Sequence, residues 1–446
     1  MNVMADVKVI KTAAETALAL AYSQARERLP GDKAIAAQRE AAFDVFAKDG
    51  LPHRRIEDWK YTDLRVLMRD AKPLAAPPDA AAKARAKAAG ALLGDVECRR
   101  LTFIDGAFVA ELSDIAGLES GLSITSLAAA LTNGDPALAA HLGKLAPVSD
   151  VAVALNTALM GDGAVIRIGA GSTTERPLHL LFVASGKPAA SFVRSLVVVE
   201  KGARAMLIES HEGPAGSDYQ VNAAVEIFVG DEAHVDYVKI IAEGADALHV
   251  STLAAAIGAR ARFNTFTFTA GGAVVRNQMF LKFDGEDTVA GIRGATLLKG
   301  RQHADTTLIA NHIARGCQSR EVFKTVLDDE AHGVFQGRII VQPHAQKTDA
   351  KMMTRALLLS ERAEADNKPE LEIFADDVQC GHGATAGALD DDLKFYLMAR
   401  GIPAAEAEAL LIQAFLGEAI DGIEHAGLRE ALMDTVVAWL KARAVK

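Results

Sequence analysis

The stretch Gly230-Asp231-Glu232-Ala233-His234-Val235 follows one run of β-branched and apolar residues, Val225-Glu226-Ile227-Phe228-Val229, and leads into another. The same texture recurs at Lys201-Gly202-Ala203-Arg204-Ala205, at Gly258-Ala259-Arg260-Ala261 and, more loosely, at Asp329-Glu330-Ala331-His332-Gly333. In each, a small residue follows a glycine or acidic turn, and a strand then resumes. The first three copies lie roughly 26–30 residues apart, a period typical of solenoids. From about Ala164 onward, apolar runs such as 196–199, 263–268, 278–283 and 338–341 alternate with Gly/Asp/Glu turns. Val275, Met279, Leu281 and Phe283 fall on one face of such a strand, and Arg276, Gln278 and Lys282 on the other. Hardly any helical periodicity interrupts this region. A parallel β-solenoid or a double-sheet β fold fits the pattern, and periodicity does not choose between them.

Both flanks read as helical. Residues 1–48 are Ala-rich, and Ala36, Ala42, Phe43 and Phe46 suit one buried face. Residues 54–65 are dense in charge and aromatics. An Ala-rich stretch over 71–91, broken by Pro73, Pro77 and Pro78, reads as a linker feeding a helix, and residues 101–103 as a short extended piece. After Leu389, Asp390, Asp391 and Asp392 precede Leu393, Tyr396 and Leu397, where carboxylates cap free N–H groups and oppose the helix dipole. Arg400-Gly401 makes a helix end, and Pro403 suits the first turn of the next helix. Leu410, Leu411, Ala414 and Phe415 give that helix an apolar face. A last helix carries Leu428, Leu432, Val436, Trp439 and Leu440 and ends in Lys441, Arg443 and Lys446. The expected organisation is a helical region over 1–160, a β core over 161–388 and a helical domain over 389–446.

Composition narrows the function classes. The 446 residues are 50% hydrophobic and 24% charged, enough for a sizeable packed core. A net charge of −10 argues against nucleic acid or an anionic membrane as the main partner. Cys98, Cys317 and Cys380 are no disulfide framework and fit a reducing compartment. The first 30 residues carry Asp6, Lys8, Lys11, Glu15 and Arg26, unlike a signal peptide. No apolar run is long enough to span a membrane, so a cytoplasmic location is expected. Gly186-Lys187 is followed by Pro188, so there is no P-loop, and no G-x-S-x-G or H-E-x-x-H occurs. Asp376/Asp377 and Asp328/Asp329 read as turn residues.

The chemically distinctive stretch is Asp376-Asp377-Val378-Gln379-Cys380-Gly381-His382-Gly383-Ala384-Thr385. In a strand, Cys380 and His382 project to the same side. Thiolate and imidazole are the ligand types preferred by zinc and iron–sulfur chemistry, but two ligands are half a site. The pair therefore reads either as a ligand set completed elsewhere or as a small buried cysteine beside a core histidine. His303, Asp305, His312, Cys317, His332 and His344 have no spacing of a metal motif and read mostly as surface or turn residues.

Several stretches resemble the SufB/SufD family of the SUF iron–sulfur cluster assembly machinery. Glu57-Asp58-Trp59-Lys60-Tyr61-Thr62-Asp63-Leu64 is similar to the amino-terminal signature of its SufD branch. Ser319-Arg320-Glu321, Gly333-Val334-Phe335-Gln336-Gly337 and Gln346-Lys347-Thr348-Asp349-Ala350 resemble the shared core. Cys380-Gly381-His382-Gly383-Ala384-Thr385-Ala386-Gly387, then Phe395-Tyr396-Leu397 and Arg400-Gly401-Ile402, resemble the carboxyl-terminal motif of the SufD branch. The resemblance implies a mainly β protein with flanking α, a right-handed parallel β-helix between two helical regions. It implies a non-catalytic scaffold subunit of a SufB–SufC₂–SufD complex, with a SufB-like paralogue and a SufC-type ABC ATPase as partners and no nucleotide bound by this chain. His382, with Cys380 beside it, would lie at the interface with the paralogue and share iron or a nascent cluster transiently with it. The ATPase would dock on the carboxyl-terminal helices, with Leu393, Tyr396, Arg400, Leu410 and Phe415 as anchors. A homodimer of the isolated chain is a further expectation. Two rival classes stay open at this stage: a β-solenoid enzyme, either lyase or acyltransferase, and a purely structural interaction subunit.

Overall fold

Strands that alternate between two sheets along the chain settle the choice between solenoid and double sheet. The computed structural model describes residues 11–444, so Asp6, Lys8 and Lys446 lie outside the described residues. Three short strands come first: β1 (Arg99–Ile104), β2 (Ala107–Phe108) and β3 (Leu122–Ser126). Then follow β4 (Ala164–Ile168), β5 (Leu178–Val183), β6 (Ala190–Val199), β7 (Arg204–Glu212), β8 (Gln220–Val229), β9 (His234–Ala242), β10 (Leu248–Ile257) and β11 (Arg262–Thr269). The second half continues with β12 (Val274–Phe283), β13 (Val289–Leu298), β14 (His303–His312), β15 (Gln318–Leu327), β16 (His332–Val341), β17 (Asp349–Leu358), β18 (Glu364–Ile373) and β19 (Gln379–Gly387). Odd strands from β5 to β19 stack in one sheet and even strands from β4 to β18 in the other, all parallel. The result is a parallel β-solenoid of eight two-strand turns. At one end β2 pairs with β1 and β3 with β4, both antiparallel. The expected boundary at 161 falls just before β4, yet β1 to β3 already belong to the two sheets.

The turn repeat has a backbone cause. Gly171, Gly202, Glu232, Arg260, Asp287, Gly316 and Lys347 all take left-handed φ between 54° and 76°, at spacings of 27 to 31 residues. Each donates its N–H to the carbonyl just before the equivalent residue of the next turn: Gly202 to Asp231, Glu232 to Ala259, Arg260 to Glu286, and onward to Lys347 and Asp377. This corner ladder offsets the cost of about 1 kcal/mol that a side chain meets in the left-handed region. The residue that follows points inward and is small and buried: Ala203, Ala233, Ala261, Thr288, Cys317 and Thr348. Cys317 thus occupies a slot in the repeat, and its thiol donates to the Gly285 carbonyl at 3.2 Å.

Inward residues, among them Leu253, Ile257, Phe263, Phe283, Leu308, Phe323 and Phe335, form one continuous core. Both outer faces are covered. The amino-terminal region supplies α1 (Ala13–Ala25), α2 (Lys33–Asp49), α3 (Leu64–Leu67), α4 (Ala80–Ala86), α5 (Leu127–Asn133), α6 (Pro136–His141) and α7 (Val151–Leu159). The carboxyl-terminal region supplies α8 (Asp391–Ala399), α9 (Ala404–Ile420) and α10 (Ala426–Ala444). Ile412, Leu416, Leu432 and Val436 of α9 and α10 share a buried cluster with Ile208, Val238, Phe266 and Val326 of the odd sheet. The last two helices are therefore continuous with the β core.

The charged segment near residue 60 docks on the even sheet. The Arg276 guanidinium lies 4.5 Å from the Trp59 ring, donates to the Asp58 carbonyl at 2.6 Å and pairs with Asp305. The Thr62 hydroxyl donates to the same carboxylate at 2.5 Å, and Trp59 Nε1 to Asp150 at 3.0 Å. Arg276 and Asp305 are both fully buried, so the polar face of β12 meets protein rather than water. Asp305→Ala leaves a buried guanidinium without its counter-charge. A loss of about 3–5 kcal/mol in chemical denaturation is expected, whereas Lys187→Ala, at the exposed Lys187–Asp79 pair, leaves the midpoint unchanged.

Candidate functional site

The two ends of the solenoid differ. Antiparallel β2 and β3 finish one end, but at the other β18 pairs only with β16 and β19 only with β17. Glu364, Asp366, Lys368, Pro369, Glu370 and Glu372 guard the β18 edge with charge and a missing N–H. β19, Gln-Cys-Gly-His-Gly-Ala-Thr-Ala-Gly, has no acidic or basic group other than its histidine and no proline. Ile373 and Phe374 lie exposed beside it.

The sequence pair sits on this unguarded strand. Cys380 is in register with Ala350, and His382 with Met352. Both partners belong to the inward core, so the two side chains share the inward face, as their spacing requires. With no further turn above, His382 is exposed, while Cys380 is half-buried against the core. Burial pushes the Cys380 thiol up; the Ala350 backbone opposes this, and the nearby Asp349 and Glu321 carboxylates add smaller upward pushes. At neutral pH the thiol is protonated, and the imidazole is the more available ligand.

One strand further in, Glu321 is in register with Met352. His382, Met352 and Glu321 thus form a column through three adjacent strands, with Glu321 about 10 Å in from His382 at two strand spacings. Glu321 is fully buried, and burial raises its pKa to about 7, with the Ser319 hydroxyl opposing. The sequence reading placed Glu321 in a shared block but gave it no role. Its signal was a carboxylate at the inward parity of Phe323 and Leu327.

Of the remaining histidine group only His303, Asp305 and His332 come together, with His303 and Asp305 sharing the Thr62 hydroxyl. His303 and His332 lie on the outer even face, Nδ1 to Nδ1 at 3.1 Å, and His332 Nε2 is 2.8 Å from Asp366. His312 is inward, stacked on Phe283 at 4.1 Å, with Nε2 3.1 Å from the Ser319 hydroxyl. His344 is an exposed turn residue. His303 and His312 are buried, contrary to the surface reading, and burial lowers each to about 4.

Past β19, Asp390 caps α8 through the Asp392 and Leu393 amides at 2.9 and 3.0 Å. Leu393 and Tyr396 are 52% and 55% exposed, and Phe395, Met398, Arg400 and Leu410 are exposed with them. Arg400 lies over the Tyr396 ring at 5.0 Å and donates to its hydroxyl at 3.1 Å. Phe415 differs: it is half-buried in the core cluster beneath the Lys324 ammonium at 4.4 Å. Phe395 and Met398, more open than Phe415, were not anticipated as anchors.

Two family models cover almost all of the chain. The SufBD protein N-terminal region matches residues 13–180, and the SUF system FeS cluster assembly, SufBD core domain, matches residues 182–415. The chain belongs to the SufBD family. An iron–sulfur cluster assembly SufBD family protein of Synechocystis sp. is 34% identical over 96% of each chain. The iron–sulfur cluster assembly protein SufD of Escherichia coli is 30% identical over 89% of this chain and 91% of its own. SufD of Bacillus subtilis is 28% identical over 64% and 65%. SufBD membership supports a role in iron–sulfur cluster assembly, and the open end belongs to the SufBD core domain.

Glu321 gives this end a pH signature. With the folded pKa near 7 and an ordinary value of 4.5, the folded chain keeps a proton that the unfolded chain releases between these values. Its contribution is fully present at low pH and is lost as pH rises toward 7, to about 3 kcal/mol. Glu321→Gln should flatten the fall in denaturation free energy between about pH 5 and 8 and be the more stable protein at the upper limit. Parallel pH profiles for the two proteins would assign the slope to another group.

Proposed function

We propose that this SufBD chain is a non-catalytic scaffold subunit of an iron–sulfur cluster assembly complex and that it works across its open end. The observation that carries this reading is an unguarded terminal strand presenting His382 to solvent on the inward face of an unfinished solenoid. A SufB-like paralogue completes the end, its strand edges pairing with those of β18 and β19. His382 supplies one ligand nitrogen and the paralogue supplies the others. Iron or a nascent cluster is the cargo, held transiently between the two subunits. The protonated, half-buried Cys380 acts mainly in packing around that position. In isolation, the same end pairs two copies as a homodimer.

The second surface is α8 with the start of α9. We infer that a SufC-type ATP-binding-cassette ATPase docks there on Leu393, Tyr396, Arg400 and Leu410, with Phe415 supporting from beneath. Nucleotide hydrolysis belongs to that partner. The net charge of −10 disfavours nucleic acid. No helix among the described residues is long and apolar enough to cross a membrane. The complex is assigned to the cytoplasm.

His382→Ala in the reconstituted complex is expected to cut the cluster assembly rate at least tenfold while the subunits still co-elute. Cys380→Ala and Cys380→Ser should each lose less, because a protonated thiol contributes little ligation. Assembly at the parental rate by the His382→Ala complex would sink the interface reading. For the ATPase, Leu393→Asp combined with Tyr396→Asp should weaken binding at least tenfold by calorimetry without moving the unfolding midpoint, since both side chains are exposed. Undiminished binding would place the docking surface elsewhere.

A further inference from the structure

Far from the open end, the interior of the first turns holds a polar cluster that the proposed function does not use. His211 lies on β7, Glu243 directly after β9 and His249 on β10; all three are buried, and each brings a ligand atom within 4.8 Å of the other two. His211 shares the inward parity of Leu207, and His249 that of Leu253. We propose that His211, Glu243 and His249 form a binding site for a divalent first-row transition-metal ion inside the solenoid.

The hydrogen bonds prepare these side chains as ligands. The Glu209 carboxylate accepts from Lys239 Nζ at 2.7 Å and from the Tyr237 hydroxyl at 2.8 Å. It therefore also accepts from His211 Nε2, 2.8 Å away, which leaves Nδ1 as the lone-pair nitrogen of that ring. A carboxylate behind an imidazole is the usual outer support of a metal-bound histidine. Phe182 stacks on the His211 ring at 4.7 Å and fixes its plane.

Charge and satisfaction point the same way. The cluster contains two carboxylates, Glu209 and Glu243, and one ammonium, Lys239, which is already on Glu209. The one side-chain hydrogen bond of Glu243 is to His249 Nδ1, at 3.1 Å. His249 Nε2 is buried with no hydrogen-bond partner. A divalent cation gives the Glu243 carboxylate a counter-charge and a nitrogen lone pair a partner. A cavity of about 20 Å³ lined by His211, Glu243 and Tyr219 adjoins the cluster, enough for one ion or one water. It reaches half-exposed Ala75, Asp105 and Gly106, which gives an entry path. Two imidazoles and one carboxylate suit zinc or ferrous iron rather than calcium or magnesium.

The test uses the full chain, stripped with chelator, equilibrated with zinc and dialysed. One zinc per chain is expected to remain. Glu243→Gln and His249→Gln should each weaken binding tenfold or more, while His382→Ala, at the open end, and Asp366→Asn, in the half-exposed His332–Glu364–Asp366 group, keep the parental affinity. Zinc-edge X-ray absorption on the parental chain should show a nitrogen and oxygen shell with two imidazoles and no sulfur, a readout that does not depend on the variants folding. No retained ion, sulfur in the shell, fewer than two imidazoles, or a loss that follows His382→Ala and spares Glu243→Gln would each overturn the site. None of these outcomes depends on cluster assembly, so the scaffold reading stands or falls separately.

Discussion

Each turn of a parallel solenoid is held by hydrogen bonds to the turn before and the turn after, and the first and last turns lack one of these partners. The rest of this structure follows from how those two vacancies are handled. At the beginning, β2 and β3 reverse direction and close the stack. At the finish nothing reverses, and nineteen residues of strand in β18 and β19 keep one side of their backbone unpaired. The exposure of His382, the open flank of α8 and the apolar pair Ile373 and Phe374 all lie near this unfinished edge.

The flanking helices answer a second demand of the same geometry. A two-sheet solenoid has two outer faces as well as an interior, and the outer faces here mix apolar residues such as Val250 and Val326 with polar ones such as Arg276 and Glu226, none of which is left in water. The amino-terminal region covers the even sheet through apolar clusters, such as Trp59, Leu64 and Leu155 against Leu248, Val250 and Val274, and through polar anchors that reach the outer side chains. Glu226 shows the pattern: Arg194 pairs with it at 2.8 Å, while the Gly143 and Leu145 amides donate to it at 2.7 and 2.8 Å. The odd sheet is covered by α9 and α10 through aliphatic contact.

Much of this was legible in the sequence, and the rest failed for identifiable reasons. The corner repeat was readable because a left-handed residue followed by a small inward one recurs at nearly constant spacing. Solenoid against double sheet was not, since the choice depends on which distant strands pair. Parity put Cys380 and His382 on one face, but their unequal exposure depends on the absence of a further turn. His303 and His312 were grouped because parity was not applied to them; nine residues apart on one strand, they face opposite sides. The charge density around Trp59 was noticed, but its target, Arg276 with Asp305, is brought near only by the fold. Glu321 and the inner histidines escaped for the same reason.

The covering of the odd sheet has a consequence for how the chain is made. Ile208, Val238, Phe266, Ala295, Val326 and Leu357 form an apolar stripe along six successive odd strands, and the helices that shield it follow all six strands in the chain. During synthesis the turns can stack as they emerge, but the stripe stays bare until α9 and α10 have left the ribosome. A polypeptide released before α9 keeps it bare, which makes it prone to aggregation and a target for quality control. Docking of α9 and α10, rather than formation of any single turn, is the step that covers this stripe.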